Sequence, residues 1–134
     1  MRLDPARFAG RMDGRTVELI VLRNEAIELA VCNHGARILQ LIVPDRQGRA
    51  IDVVLGHDSL EQMLAGMASM GAFIGRFANR IANARFMLDG RQHLLPANDG
   101  PHCVHGGPGG SRHRVFDVIE RRSDALELRL HLDS

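Results

Sequence analysis

Asn79, Arg80 and His105 are the side chains in this sequence whose types and setting can do chemistry. A carboxamide both donates and accepts, a guanidinium offers a fixed fork of donors, and an imidazole accepts at one nitrogen while donating at the other. Together they suit a neutral, hydroxyl-rich ligand. Histidine's ordinary pKa of about 6.5 leaves it mostly neutral at pH 7 yet able to carry a proton, so such a site also has general acid/base capability. The Asn-Arg pair follows Gly71 and Gly75, and the histidine precedes Gly106, Gly107, Gly109 and Gly110. Segments of this kind let backbone turn sharply or approach a ligand closely. Three groups placed in that way are expected to meet in one cleft.

Competing readings of the same stretch are weaker. Arg76 lies four residues before Arg80 and reads as structural. His102, Cys103, His105 and His113 could form a metal cluster, but neither C-x2-C nor H-x3-5-H spacing occurs, so no metal is expected. Residues 106–110, GGPGG, lack the lysine and the following helix of a phosphate loop, and no cofactor is implied.

The elements that must position these groups read as short strands. Residues 16–22 and 26–32 are rich in β-formers around Arg23-Asn24-Glu25, a hairpin pattern. Residues 36–43 form a strand stopped by Pro44, residues 45–48 turn, and residues 51–55 read as a buried strand closed by Gly56. Ser59-x-x-Gln62 with Leu60, Met63 and Leu64 on one face predicts one short helix over residues 59–64. Residues 85–88 and 92–95 flank Asp89-Gly90, a strong hairpin signal, and this unit is expected to hold Arg80 and His105 at its opposite ends. Residues 115–121 and 125–132 are strands again, the second with leucines at 126, 128, 130 and 132 alternating with polar residues, one face core and the other wet. Residues 1–14 read as a lead-in ending at the Asp13-Gly14 turn. With no internal repeat and no low-complexity linker, residues 1–134 read as a single unit, an antiparallel all-β sandwich with one short helix.

Composition narrows the function. Seventeen basic and sixteen acidic residues give a net charge of +1 without runs of either sign, and tryptophan and tyrosine are absent, so no nucleic-acid partner is expected. The longest apolar stretch, residues 38–43, is too short to span a bilayer and carries Gln40, and no basic-then-apolar leader opens the chain, so no membrane is expected. Two cysteines make no disulfide framework, which points to a reducing cytoplasm.

Residues 71–90, GAFIGRFANRIANARFMLDG, followed by residues 94–110, LLPANDGPHCVHGGPGG, resemble the first half of the aldose 1-epimerase (galactose mutarotase) family, whose pattern reads G-x-x-I-G-R-x-A-N-R-I, L-x-x-N-x-G and L-H-G-G. Gly35-Ala36, residues 43–48 and residues 52–56 agree with the family's opening strands and turns, so the resemblance runs from about Thr16 to the C-terminus. Three positions depart from it: Phe77 stands where tyrosine is common, Val104 where leucine precedes the histidine, and His102-Cys103 where a small polar pair is usual. The resemblance implies a galactose mutarotase-like β-sandwich, here incomplete, and interconversion of the α and β anomers of a free hexose such as galactose or glucose. It also implies that Asn79, Arg80 and His105 bind sugar hydroxyls, with His105 assisting catalysis, and that Arg80 rather than Arg76 is the sugar-contacting arginine. The family's glutamate base and histidine acid usually lie in its second half, and Glu120 and Glu127 do not match that glutamate. This chain is therefore expected to be an N-terminal part, inactive or nearly so alone. The alternative is a non-catalytic carbohydrate-binding or regulatory module. An incomplete sandwich exposes strand edges, so self-association or pairing with a missing C-terminal half is a further expectation.

Overall fold

The computed structural model describes residues 2–66 and 69–132. Phe8, Val17, Leu19, Ala30, Cys32, Leu39, Met63 and Val115 form its apolar core. They come from well-separated parts of the chain, and one antiparallel sheet of four strands gathers them. The strands are β3 (Leu19–Arg23), β4 (Glu28–Cys32), β5 (Arg37–Pro44) and β6 (Ala50–Asp52), paired in chain order.

The expected strand over residues 16–22 divides at Glu18. Its first part, β2 (Arg15–Val17), pairs instead with β1 (Gly10–Met12). The break has a polar cause: the Glu18 N–H donates to the Oδ1 of buried Asn33 at 2.9 Å, while Asn33 Nδ2 donates to the carbonyls of Thr16 and Phe116. A buried carboxamide with every polar atom satisfied holds three segments at one point. The lead-in is also more than a lead-in. Pro5–Phe8 makes a 3-10 turn capped by Asp4, whose carboxylate accepts from Ala6 N–H, and it drops Phe8 into the core with no exposed surface.

On β4 the core side is the Glu28, Ala30, Cys32 side, with Ile27 left 40% exposed. The buried Glu28 carboxylate lies 2.7 Å from Arg23 Nε and 3.0 Å from Arg2 Nε, ion pairs that offset its desolvation. Residues 51–55 do not form the buried strand expected of them. Pairing stops at Asp52, and Ile51, Val53 and Leu55 are 43%, 54% and 79% exposed. The Asp52 carboxylate takes the N–H groups of Leu41 and Val54 and the Gln40 amide, so the regular pairing ends within a residue of it, and β6 is the edge strand of the sheet.

The short helix α1 (Leu60–Ala65) forms as expected. Ser59 Oγ accepts from Gln62 N–H at 3.2 Å, Gln62 Oε1 accepts from Asp58 N–H at 3.0 Å, and Met63 is the side chain that the helix buries. The remaining strands make two-stranded ribbons: β7 (Arg80–Ile81) with β10 (Cys103–Val104), β8 (Arg85–Leu88) with β9 (Arg91–Leu94), and β11 (Asp117–Arg121) with β12 (Leu126–Arg129). The 126, 128, 130, 132 leucines do alternate with exposed residues, but a ribbon gives them only partial cover, so this face is half-buried rather than core.

Gly35 N–H donates to the Arg114 carbonyl and Phe116 N–H to the Asn33 carbonyl, which sets His34 beside His113. Burial first, then the Arg37 charge and that of His113, pushes His34 below its ordinary pKa of 6.5. Burial followed by Arg112 and Arg37 does the same to His113. The unfolded chain therefore takes up protons near pH 6.5 that the folded chain refuses. Stability is fully present above that pH and declines as pH falls below it. Thermal melts at fixed ionic strength are expected to give a lower Tm at pH 5.5 than at pH 7.5, and a His34→Gln variant a smaller difference.

Candidate functional site

The three residues singled out in the sequence lie on two segments that the backbone pairs directly. Strands β7 and β10 pair antiparallel with Val104 opposite Arg80. The ladder continues one residue further, since His105 N–H donates to the Asn79 carbonyl at 3.0 Å and Asn79 N–H donates to His105 Nδ1 at 3.1 Å. Asn79 and His105 thus face each other across the two segments, one position along from the Arg80–Val104 pair. Arg80 and His105 are not held at opposite ends of the β8–β9 hairpin, as the sequence had suggested. That hairpin turns at Asp89-Gly90, both with positive φ, and leaves all eight strand residues exposed. Its role is to be the excursion between two strands that pair behind it.

The Asn79 to His105 bond settles which ring nitrogen faces outward as a donor. Nδ1 accepts a backbone N–H, so in the neutral imidazole the proton sits on Nε2. Both residues take left-handed backbone, φ 61° for Asn79 and φ 53° for His105, a conformation uncommon outside glycine that asparagine and histidine adopt more readily than most. Gly106 follows with φ 81°, and an added Cβ there would lie 2.1 Å from the Gly75 carbonyl oxygen. The glycine is what lets the His105 loop lie on the Asn79 segment. Ser111 ties the same place from below, its Oγ donating to the Phe73 carbonyl at 2.7 Å and its N–H to the Gly75 carbonyl at 3.1 Å.

Two residues that the sequence did not single out complete the arrangement. Asp99 Oδ2 accepts from Arg80 Nε at 2.5 Å, which directs the guanidinium edgewise, and the terminal nitrogens make no hydrogen bond among the described residues. Asn98 mimics a strand, donating to the Val104 carbonyl at 3.0 Å and accepting its N–H at 2.7 Å. The asparagine occupies the N of L-x-x-N-x-G, so its position was legible, whereas nothing local marks Asp99 as the partner of an arginine 19 residues away. Replacing Asp99 by Ala is expected to change stability by less than about 1 kcal/mol, since both partners are exposed, yet to speed exchange of the Arg80 Nε proton in NMR.

The trio does not sit in the enclosed cleft expected for it. Asn79 and Arg80 are exposed and His105 is half-buried. A cavity of about 290 Å³ lies next to them, on the other side of the His105 loop, lined by Arg76, Phe77, Pro96, Gly106 and Arg114. Arg76 thus faces open space rather than packing into the core. Among the described residues, no group of three or more His, Cys, Asp or Glu is placed to hold a metal ion. Cys103 is buried, and His102 Nδ1 accepts the Asn83 N–H. Cys32 is a free thiol in the core, which burial pushes up to about 11.

A family model described as aldose 1-epimerase matches residues 18–134. The chain belongs to the aldose 1-epimerase family. Among curated relatives, galactose mutarotase of Bos taurus is 46% identical over 95 residues, which is 71% of this chain and 28% of the relative. Aldose 1-epimerase of Escherichia coli K12 is 34% identical over 122 residues, 90% of this chain and 35% of the relative. The crystal structure of a GalM/aldose epimerase homologue from C. elegans superposes with a TM-score of 0.78 at 33% identity, covering 84% of this chain and 35% of that one. The fold is therefore the antiparallel all-β fold of galactose mutarotase-like proteins. This chain spans about a third of the length of the epimerases it matches. No helix among its described residues is long and apolar enough to cross a membrane.

Proposed function

We propose that this chain is the sugar-binding portion of an aldose 1-epimerase that interconverts the α and β anomers of a free hexose, with Asn79, Arg80 and His105 contacting sugar hydroxyls. The observation that carries the reading is the mutual hydrogen bonding of Asn79 and His105 beside an arginine aimed by Asp99. A guanidinium fork, a carboxamide and an imidazole Nε2–H carried on two paired segments are the donor and acceptor mixture that suits a polyol.

Anomer exchange needs a base to take the proton from the C1 hydroxyl and an acid to protonate the ring oxygen. The C1 to ring-oxygen bond breaks, an aldehyde forms, rotation about C1–C2 exposes its other face, and the ring recloses with the proton transfers reversed. In this scheme Arg80 and Asn79 orient the ring, while the Nε2–H of His105 stabilises the negative charge that develops as the C1 proton leaves. The main acid and base come from outside this chain. Glu120 and Glu127 face each other across β11 and β12 and are engaged by Arg122 and Arg129, so neither is offered as the base. The complementary polypeptide corresponds to the two-thirds of the relatives' length not spanned here. It would cover the exposed Met87, Leu88 and Leu94 of the hairpin and close the sugar site into a cleft. Two unpaired, buried cysteines support a reducing cytoplasm as the place of action.

Polarimetry on freshly dissolved α-galactose and α-glucose tests the reading together with an NMR sugar titration. Expected are millimolar binding with shifts at Arg80 and His105, both lost in His105→Ala, and mutarotation close to the buffer rate. No shift at either residue would reject the sugar site, and turnover well above buffer, abolished by His105→Ala, would overturn the claim that acid and base lie elsewhere. Sedimentation of a stable dimer through the hairpin would replace the complementary polypeptide by a second copy.

A further inference from the structure

Away from the sugar site, the turn between β4 and β5, the end of α1 and the Ser111–His113 turn enclose a cavity of about 60 Å³. One water occupies roughly 10–15 Å³ on this measure, so the space suits a group of a few heavy atoms. Its polar lining is basic: His34, Arg37, Arg112 and His113, with Ser69, and no carboxylate among the described residues lines it. His34 and Arg37 are each only 4% exposed. The His34 ring lies near the His113 backbone carbonyl, and its Nδ1 is buried and has no hydrogen-bond partner. Arg112 gives Nη1 to Ser69 Oγ and Nε to His113 Nε2 at 2.9 Å, which leaves Nη2 without a hydrogen bond among the described residues.

A buried polar atom with no partner costs about 1–3 kcal/mol, and basic side chains gathered round one cavity repel one another. Both costs vanish if the cavity holds an anion. We propose that this cavity is a binding site for a tetrahedral oxyanion, inorganic phosphate or the phosphate of a phosphorylated sugar, held by Arg37, Arg112 and the Nδ1–H of protonated His34. With the proton of the neutral ring on Nε2, on the side of the His113 carbonyl, binding takes one further proton from solvent onto Nδ1, converting a lone pair without a partner into a donor. The anion and the proton therefore bind together. Arg37 and His113 disfavour the charged imidazole from the neighbouring elements, and Asp13 on the β1–β2 turn favours it without lining the cavity. The bound oxyanion supplies the countercharge that is otherwise distant.

Sulfate is the probe of choice, because its own charge is constant between pH 6 and 7.5. It is titrated into the 134-residue chain at constant ionic strength with the His34 ring resonances followed by NMR. Saturable binding is expected, about tenfold tighter at pH 6 than at pH 7.5, and calorimetry in two buffers of different ionisation enthalpy should show proton uptake. Arg112→Gln should weaken binding about tenfold at both pH values, and His34→Gln should leave binding that no longer depends on pH. Proton uptake by the unmodified chain tests the idea even if a variant does not fold. Competition by inorganic phosphate alone identifies a free ion as the ligand, and competition by a hexose phosphate as well identifies a phosphorylated sugar. Shifts that stay linear in sulfate, that chloride reproduces, or that survive Arg112→Gln without pH dependence overturn the proposal.

Discussion

Phe8→Ala is expected to cost about 3–5 kcal/mol of folding stability. The side chain has no exposed surface and is the only aromatic ring in the described core cluster, whose other members come from four strands, the helix and Val115. It hangs from a short 3-10 turn, so the surroundings cannot collapse into the space without losing the turn as well. Whole-domain stabilities lie at about 5–15 kcal/mol, so the loss is a large part of the total. Chemical denaturation should show an earlier midpoint, and thermal melts a Tm lower by at least about 10 °C. A change below about 1 kcal/mol would mean that the N-terminal turn is not docked on the sheet. Phe8→Leu, which keeps most of the volume, should recover more than half of the loss.

Gly106→Ala is expected to disrupt the candidate sugar site and to destabilise the chain by about 2–5 kcal/mol, combining left-handed strain with overpacking. The new methyl would meet the Gly75 carbonyl oxygen at 2.1 Å, and that oxygen is fixed by Ser111 N–H and Oγ. Either the Ser111 contacts break or the His105 loop lifts from the Asn79 segment. In both cases the reciprocal Asn79 and His105 hydrogen bonds are lost, and the Asn79 amide should lose its protection against hydrogen exchange. Gly109→Ala is the internal control. Nothing lies within 4 Å of a Cβ there, so a change of no more than about 0.5 kcal/mol is expected. Equal effects of the two substitutions would show that the loop responds to its glycine content and not to the contact with Gly75.

Much of this architecture was legible residue by residue, because the signals are local. Asp89-Gly90 names a two-residue hairpin since both positions need positive φ, and the chain adopts it. Ser59 and Gln62 name a helix start through hydrogen bonds that span four residues. The Asn-Arg and His-Gly-Gly motifs name the candidate site because their side-chain types suit a hydroxyl-rich ligand. What was not legible is which side of each strand is covered. Residues 51–55 are as apolar as a buried strand, yet they lie at a sheet edge where Asp52 takes the backbone donors, and the amino-acid types say nothing about what packs on top. The N-terminal residues look like a tether because one phenylalanine among polar neighbours has no period, although that residue is the most deeply placed ring in the core.

The chain alone determines the all-β class, the turns, the helix start and the identity of Asn79, Arg80 and His105, because each depends on conformational preferences or functional groups within a few residues. Tertiary structure decides that Asn79 and His105 face each other at the end of a two-residue ladder, that Asp99 aims the arginine beside them, and that four basic side chains surround one small cavity. Those facts depend on pairings between segments well separated in the chain, from the Arg80–Asp99 ion pair to the Gly35–Arg114 backbone hydrogen bond. Their energies become favourable only once loop closure has brought the partners together.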